Sequence, residues 1–459
     1  MKKALMILAV LACVGVGYSQ CMGLQGPKGD KGDAGTTLGF YNVRDYGAYG
    51  DGIASRHAWM NTGSDTLHDT TVTFVSGDVG KIVRVTDVGR IVTDTMRRLF
   101  APIVDSIADY GQDTIGTISS YVNSHAVRVS FTASATKIGC NMDYGHDDIT
   151  AIQNAINAAA DSGGGRVWIP RATNQYYMLA GSLIHNAGGG TTNCQLFIPC
   201  RTTKYLQITI EGEARHHLGS VRYHVSTEPD WAFGGSVLKS IIQGTGHLPT
   251  VIGYAGCNIA GFGYTDLVMQ NVSFVVPANQ HNHGVNLSVL HAEFLGSTDL
   301  NRVTIGADHF ADSLKQPVDT SFGIWVGRTG TEQHLLRDVN VTGGFMYGII
   351  AGEHSNFQLA QVNFCRYGIV PIGNAYSVNG YAMVQRSNYS LALIKGLFGY
   401  TYVGIPVHLV FDLEDLAGTA FPPKAHIFDS LNVGVGLIHY TGQAELVKNG
   451  GTNLTCTRN

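Results

Sequence analysis

Phe40-Tyr41-Asn42-Val43-Arg44-Asp45-Tyr46-Gly47-Ala48-Tyr49-Gly50-Asp51-Gly52 and, much later, Asp147-Asp148-Ile149-Thr150-Ala151-Ile152-Gln153-Asn154-Ala155-Ile156 decide the fold of this chain. A third piece follows closely: Gly163-Gly164-Gly165-Arg166-Val167-Trp168-Ile169-Pro170. Ile149, Ile152, Ala155, Ile156 and Ala159 recur at helical spacing and form one apolar face. Asp148 stands where an N-cap side chain accepts the free backbone N–H bonds of a helix start. The three glycines stop that helix. Such a helix can cover the first rung of a solenoid, whose strand edges otherwise invite association.

In this order the three pieces resemble the opening of the pectate-lyase-like superfamily, shared by polygalacturonases, rhamnogalacturonases and many phage tailspikes. There a strand ending in Asp-Tyr-Gly-Ala-x-Gly-Asp-Gly leads through paired aspartates into a helix, a Gly-rich turn and the first core strand. The resemblance covers residues 40–52 and 146–180 directly. It implies an all-β fold, a right-handed parallel β-helix with an N-terminal capping helix, over 40–52 and 146–410. This chain departs from the family by splitting the motif, because residues 53–145 intervene. That insert alternates apolar and polar residues, as in Val72-Thr73-Phe74 and Val127-Arg128-Val129-Ser130-Phe131, and reads as a small β-domain with its own core. Residues 411–459 read as a C-terminal β segment, with a Gly-turn hairpin at 448–454 closing that side.

A loose repeat supports the solenoid. Leu267-Val268-Met269-Gln270-Asn271-Val272 returns as Leu300-Asn301-Arg302-Val303, Leu336-Arg337-Asp338-Val339 and Leu359-Ala360-Gln361-Val362. A second element follows each: Gly284-Val285, Gly323-Ile324, Gly348-Ile349 and Gly368-Ile369. Two strands recurring with variable loops between them fit stacked rungs.

The chain has 459 residues, 44% hydrophobic and only 14% charged, with 58 glycines and 12 prolines. Few charges and many glycines suit an all-β protein with frequent turns. The formal net charge of −4 leaves no basic excess, so neither nucleic acid nor an anionic membrane is expected as partner. Residues 1–19 read as a secretory signal, from Lys2 and Lys3 through an apolar run to Gly17 and Ser19 at the cleavage site. Lipid attachment at Cys13 is the alternative. No later segment reads as membrane-spanning, so a secreted or cell-surface protein is expected. Residues 20–39 hold Gly26-Pro27-Lys28-Gly29-Asp30-Lys31-Gly32-Asp33-Ala34-Gly35, the glycine-every-third pattern of a collagen triple helix. It points to a homotrimer, and a flexible linker is the competing reading. Cys21 beside it is the natural interchain thiol. Cys194 and Cys200 are near enough in sequence to close a small loop, while buried unpaired thiols fit a β-core equally well.

Chemistry is expected on loops that stack on one side of the solenoid. The loop over 275–283 carries His281 and His283, and that over 306–322 carries Asp308, His309, Asp312 and Lys315. In the next two rungs the loop is short, with Tyr347 and Tyr367 as the expected floor of a groove. Asp308 and Asp312 suit the two carboxyls of glycoside hydrolysis, and His309 or His283 a general base. His281, His283, Lys315, Tyr347 and Tyr367 are the expected substrate-binding set. No metal site is expected, since no third ligand is fixed by spacing beside His281 and His283. A lyase would add a divalent cation such as calcium. The polygalacturonase pattern is missing: no Asn-Thr-Asp, Gly-His-Gly or Arg-Ile-Lys stands at matching places. The sequence therefore leaves two readings of a polysaccharide-binding protein. One is a glycoside hydrolase or polysaccharide lyase. The other is a non-catalytic trimeric fibre or adhesin, or a phage tailspike-like receptor-binding protein.

Overall fold

Leu206–Gly212 and Thr265–Gln270 alternate buried and partly exposed residues, as strands do when one face meets a core. Each lies parallel to the next, with Ile210 opposite Met269. This register continues as Leu300, Leu336 and Phe357, an inward column of buried apolar side chains. The computed structural model describes residues 39–96, 106–181, 184–185, 193–199, 205–215, 235–242, 249–254, 265–277, 288–292, 296–308, 321–327, 333–343, 345–352, 354–363, 365–372, 378–385, 387, 389–393, 405–414, 425–429, 434–441 and 453–458. The signal and collagen-like stretches lie outside these residues.

Three parallel sheets make the solenoid. The first begins with Gly39–Asn42 and Gly165–Ile169 and runs on through Leu206–Gly212, Thr265–Gln270, Thr298–Asn301 and His334–Arg337. The second stacks Tyr177–Leu179, Val237–Ser240, Ser273–Pro277, Thr304–Asp308 and Val339–Thr342. In the third, Pro249–Tyr254, Ser288–Ala292, Phe322–Val326, Tyr347–Ala351, Tyr367–Pro371 and Tyr389–Leu393 follow Asn193–Ile198. The chain visits the three in turn, so each rung feeds the next: the fold is an all-β parallel β-helix. Phe274, Ile305, Val341 and Val362 fill it from the second sheet. Leu290, Ile324, Ile349, Ile369 and Leu391 fill it from the third. Each buried side chain of this kind contributes about 1.5–3 kcal/mol.

The bend from first to second sheet is made by one left-handed residue per rung. Asn271, Arg302 and Asp338 have φ of 55°, 55° and 50°. Their amides stack too: Asn271 N donates to Asn301 O at 3.1 Å, and Arg302 N to Arg337 O at 2.9 Å. In the following rung the bend is gone, and Ser355–Asn363 serves both sheets. Losing it shifts the repeat. Val362 pairs with Val341, while Val339 pairs with Ala360. The repeat also mis-sets one third-sheet strand. Ile324 lies beside Leu290, and Gly284-Val285 falls outside the described residues.

The capping helix spans Ile149–Asp161 and buries Ile149, Ile152, Ala155, Ile156 and Ala159. Asp148 sits at its N-cap but makes no side-chain cap bond. Its fully buried carboxylate reaches elsewhere. Tyr49 N donates to Oδ1 at 2.6 Å, and Gly50 N and Met178 N donate to Oδ2 at 3.2 and 3.1 Å. Burial pushes this carboxyl up to about 7, against the pull of the three donors. Asp147 Oδ1 instead accepts Ile149 N at 3.3 Å and Ala180 N at 2.9 Å. The motif glycines follow from this packing. Gly50 has φ +62°, and a Cβ there would lie 2.8 Å from the Tyr177 ring.

Residues 53–145 leave the solenoid at Gly52 and return at His146. Ile53–Met60, Thr66–Asp69, Ala126–Val129, Thr114–Asn123, Ile82–Val85 and Lys137–Gly145 close a barrel in that order. Its own core includes Met60, Leu67, Phe74, Val83, Val127 and Met142. Val72-Thr73-Phe74 is not a strand, although Phe74 is buried. The barrel does not hang free. Asp143 Oδ1 meets Lys239 Nζ at 2.5 Å, both fully buried, and Tyr176 Oη donates to the same oxygen at 2.8 Å. Arg84 Nη1 lies 3.3 Å from Asp143 Oδ2. An apolar patch of Tyr176, Met178, Val237, Ile241 and Val275 on the solenoid packs Ala54 and Ile82 of the barrel.

At the other end the parallel ladder passes the expected boundary at 410. Ile405–Glu414, Gly434–Thr441 and Asn453–Arg458 pair in parallel in the first sheet. The expected hairpin at 448–454 lies mostly outside the described residues, and its last part joins this parallel strand. Cys140, Cys194 and Cys365 are free and buried, so Cys194 closes no loop with Cys200. Among the described residues no helix is long and apolar enough to cross a membrane.

Two outcomes test this packing. Asp148→Ala leaves three backbone donors without an acceptor and is expected to lower unfolding free energy by about 3–5 kcal/mol in a urea titration. Asp143→Ala, which removes the carboxylate facing a buried ammonium, is expected to cost about 3–5 kcal/mol, while Lys239→Met together with Asp143→Leu costs much less. Equal losses in the single and double variants would mean that the ion pair is not what joins barrel to solenoid.

Candidate functional site

Between the second and third sheets the chain turns one corner per rung. From Pro277 to Ser288 and from Asp308 to Phe322 that corner is long. From Thr342 to Tyr347 and from Asn363 to Tyr367 it is short. The short corners are stacked by hydrogen bonds. Tyr347 N donates to Ser321 O at 2.9 Å, Tyr367 N to Met346 O at 2.9 Å, and Tyr389 N to Arg366 O at 2.9 Å. Side chains add to the stack: Ser321 Oγ accepts Met346 N at 2.9 Å, and Ser387 Oγ accepts Cys365 N at 3.2 Å. Cys365 itself is inert, since burial pushes its thiol up to about 12.

This backbone fixes an aromatic ladder. Tyr347, Tyr367 and Tyr389 are register partners on successive third-sheet strands. Tyr347 and Tyr367 have ring centroids 5.6 Å apart and planes at 16°. Tyr367 and Tyr389 are 5.2 Å apart at 17°. Exposure grows along the ladder, from buried Tyr347 to half-buried Tyr367 and Tyr389. Arg366 holds its guanidinium 5.5 Å from the Tyr367 ring centre, within cation–π range. Beside the ladder, the outward side of the second sheet is polar and buried. Asn340 Nδ2 donates to Gln361 Oε1 at 2.9 Å, and Thr342 Oγ1 to Asn340 Oδ1 at 2.8 Å. Among the described residues, Asn363 Oδ1 and Thr304 Oγ1 are buried and have no hydrogen-bond partner.

Tyr347 and Tyr367, the expected floor of a groove, stack on each other. Tyr367 stacks on both neighbouring tyrosines, so neither of its faces lies open as a sugar platform. Tyr347 is buried, with one face on Tyr367. Asp308 ends its strand at this corner, its backbone opposite Pro277. His309, Asp312 and Lys315, and likewise His281 and His283, fall on the two long corners outside the described residues. Their mutual geometry is thus not part of the described site. Among the described residues no group of three or more His, Cys, Asp and Glu could hold a metal. Sequence reasoning passed over Arg366, Asn363 and Tyr389. The signal for Tyr389 is present: Tyr347-Gly348-Ile349 and Tyr367-Gly368-Ile369 are one triplet, and Tyr389-Ser390-Leu391 keeps its pattern of tyrosine, small residue and aliphatic residue.

No protein-family model matches the chain, and no curated protein matches it. Among solved structures it is similar to full-length tailspike protein 2 of an Escherichia coli O157:H7 bacteriophage. The identity is 11% and the TM-score 0.29, over 74% of this chain and 48% of that one. The chain thus spans about half the tailspike's length. The A-module of a mannuronan C-5 epimerase from Azotobacter vinelandii is similar at 11% identity and TM-score 0.24, over 68% of this chain and 95% of that one. The catalytic domain of a GH87 alpha-1,3-glucanase in complex with nigerose, in its D1045A form, is similar at 9% identity and TM-score 0.27, over 87% and 78%. The fold of this chain rests on its own strand register.

The ladder has a direct test. Tyr367→Ala removes the central ring and two stacked contacts, and is expected to destabilise the protein by about 2–4 kcal/mol. Tyr367→Phe keeps both stacks and is expected to change stability by less than about 1 kcal/mol. Thermal unfolding by calorimetry separates the two.

Proposed function

We propose that this protein is exported, forms a homotrimer, and binds a polysaccharide across the corner between its second and third sheets. The tyrosine ladder under Arg366 carries this reading. It sets aromatic side chains and a cation on a rigid frame, next to two long connections that can wall a groove. Sugars suit such a surface, since their hydroxyls need fixed polar partners and their C–H faces need apolar ones. On this reading Asp308 and Asp312 act as acid and base in glycoside hydrolysis. His309 assists as general base, and His281, His283 and Lys315 line the substrate path. If the reaction is elimination from a uronate, a divalent cation such as calcium neutralises the substrate carboxylate beside the aspartates.

The collagen-like triplets at 26–35 favour a second reading, a non-catalytic trimeric fibre or adhesin using the same corner. Tyr389→Ala and Arg366→Ala are each expected to weaken binding about 5–30-fold on a glycan array followed by calorimetry on the best ligand. Asp308→Asn and Asp312→Asn separate the readings. In an enzyme they lower turnover about 100-fold or more while binding persists. In an adhesin the wild type releases neither reducing ends nor unsaturated products. Unchanged glycan binding in the Tyr389 and Arg366 variants would move the site away from this corner.

A further inference from the structure

The first rung ends in an exposed aromatic cluster. Phe40 is 58% exposed although its neighbours in the strand are not. Arg166 lies opposite it in register, and Trp168 lies opposite Asn42. The Arg166 guanidinium sits 5.6 Å from the Phe40 ring centre and 5.1 Å from that of Trp168. The two rings are 6.3 Å apart. Glu211 pairs with Arg166 Nε at 2.5 Å. Along the same outer face, Tyr205 is 63% exposed. Two aromatic rings, a paired arginine and a further tyrosine on one sheet face match the composition of interface cores, where aromatics and arginine are enriched. Because Arg166 is already paired and stacked, covering it with protein leaves no uncompensated charge.

The position of this face in the chain names its occupant. Gly35, the last residue of the glycine triplets, stands five residues before Phe40. Five residues span at most about 18 Å when extended. If three chains are joined there, the short tether keeps their Phe40 residues near one another. Three copies of the Phe40–Arg166–Trp168 face are then held at high effective concentration for one another.

We infer that the outer face around Phe40, Arg166, Trp168 and Tyr205 is the contact between copies of this chain in the homotrimer. This rests on the trimer proposed above and supplies the surface that the collagen-like stretch alone does not. Three triplets are too short to hold a triple helix, so they align the chains while this face binds. Deleting 26–35 weakens association by lowering effective concentration, without abolishing it.

Sedimentation velocity of the secreted full chain, over a hundredfold concentration range, tests the surface. The wild type is expected as three chains. Phe40→Asp with Trp168→Ser is expected to raise the dissociation concentration about 100-fold or more, with the thermal midpoint of the isolated subunit unchanged. Arg166→Glu, which keeps the aromatic rings, is expected to do the same. Deletion of 26–35 is expected to leave a trimer that dissociates on dilution. A wild type that stays monomeric at tens of micromolar would overturn the trimer itself. A trimer unaffected by Phe40→Asp/Trp168→Ser and by Arg166→Glu would keep the trimer and overturn this face. Loss of glycan binding in those variants, with the trimer intact, would overturn it in favour of a sugar site.

Discussion

The buried carboxylate of Asp148 is the constraint on which the start of the solenoid depends. It takes backbone N–H bonds from Tyr49, Gly50 and Met178, three points far apart in sequence. Without an acceptor the amides of Gly50 and Met178 are buried donors lacking their bonds, at about 1–3 kcal/mol apiece, and the part-buried amide of Tyr49 loses its partner too. One side chain thus ties the loop before the insert, the helix after it and the second-sheet edge into one object. The Tyr49–Gly52 loop can then close over the first rung, and the helix can lie across its open end. Every later rung is templated on that first one, because parallel strands in register pass their alignment forward.

The same seam explains how a whole barrel can sit inside the motif. Gly52 and Gly145 bring the two ends of the insert together, with Asp51 bonded to His146 N and Nδ1 at 2.9 Å each. The insert therefore enters and leaves at one point, as a loop insertion requires. Its second fastening is electrostatic. Asp143 meets Lys239 beside the apolar patch, with Arg84 and the Tyr176 hydroxyl on the same carboxylate, and such a buried cluster stabilises one docking geometry and penalises others.

Much of this was legible in the sequence. The helix face and the glycine stop follow from periodicity and turn residues, and the parallel solenoid from the ordered motif's resemblance and the loose repeat. What was not legible depends on three-dimensional closure. Asp148 reads as an N-cap because local rules see only the helix beside it, while its partners lie about 100 and 30 residues away. Val362 reads as the repeat of Val339 because the lost bend at Ser355–Asn363 shifts register by two without changing which side faces inward. The tyrosines at 347 and 367 read as sugar platforms because a sequence does not show that equivalent residues of stacked rungs stack on each other. That same stacking turns separate residues into one rigid edge, and it is the feature by which the candidate site is best defined.

Native-state hydrogen exchange is the most direct measurement of this account. The amides of Tyr49, Gly50 and Met178 are expected to exchange only through global unfolding. Their opening free energy and denaturant slope should match those of core amides such as Ile305 and Ile349. Exchange of these three amides through small local openings, with the rest of the solenoid still protected, would contradict the claim that the Asp148 seam and the β-helix form one cooperative unit.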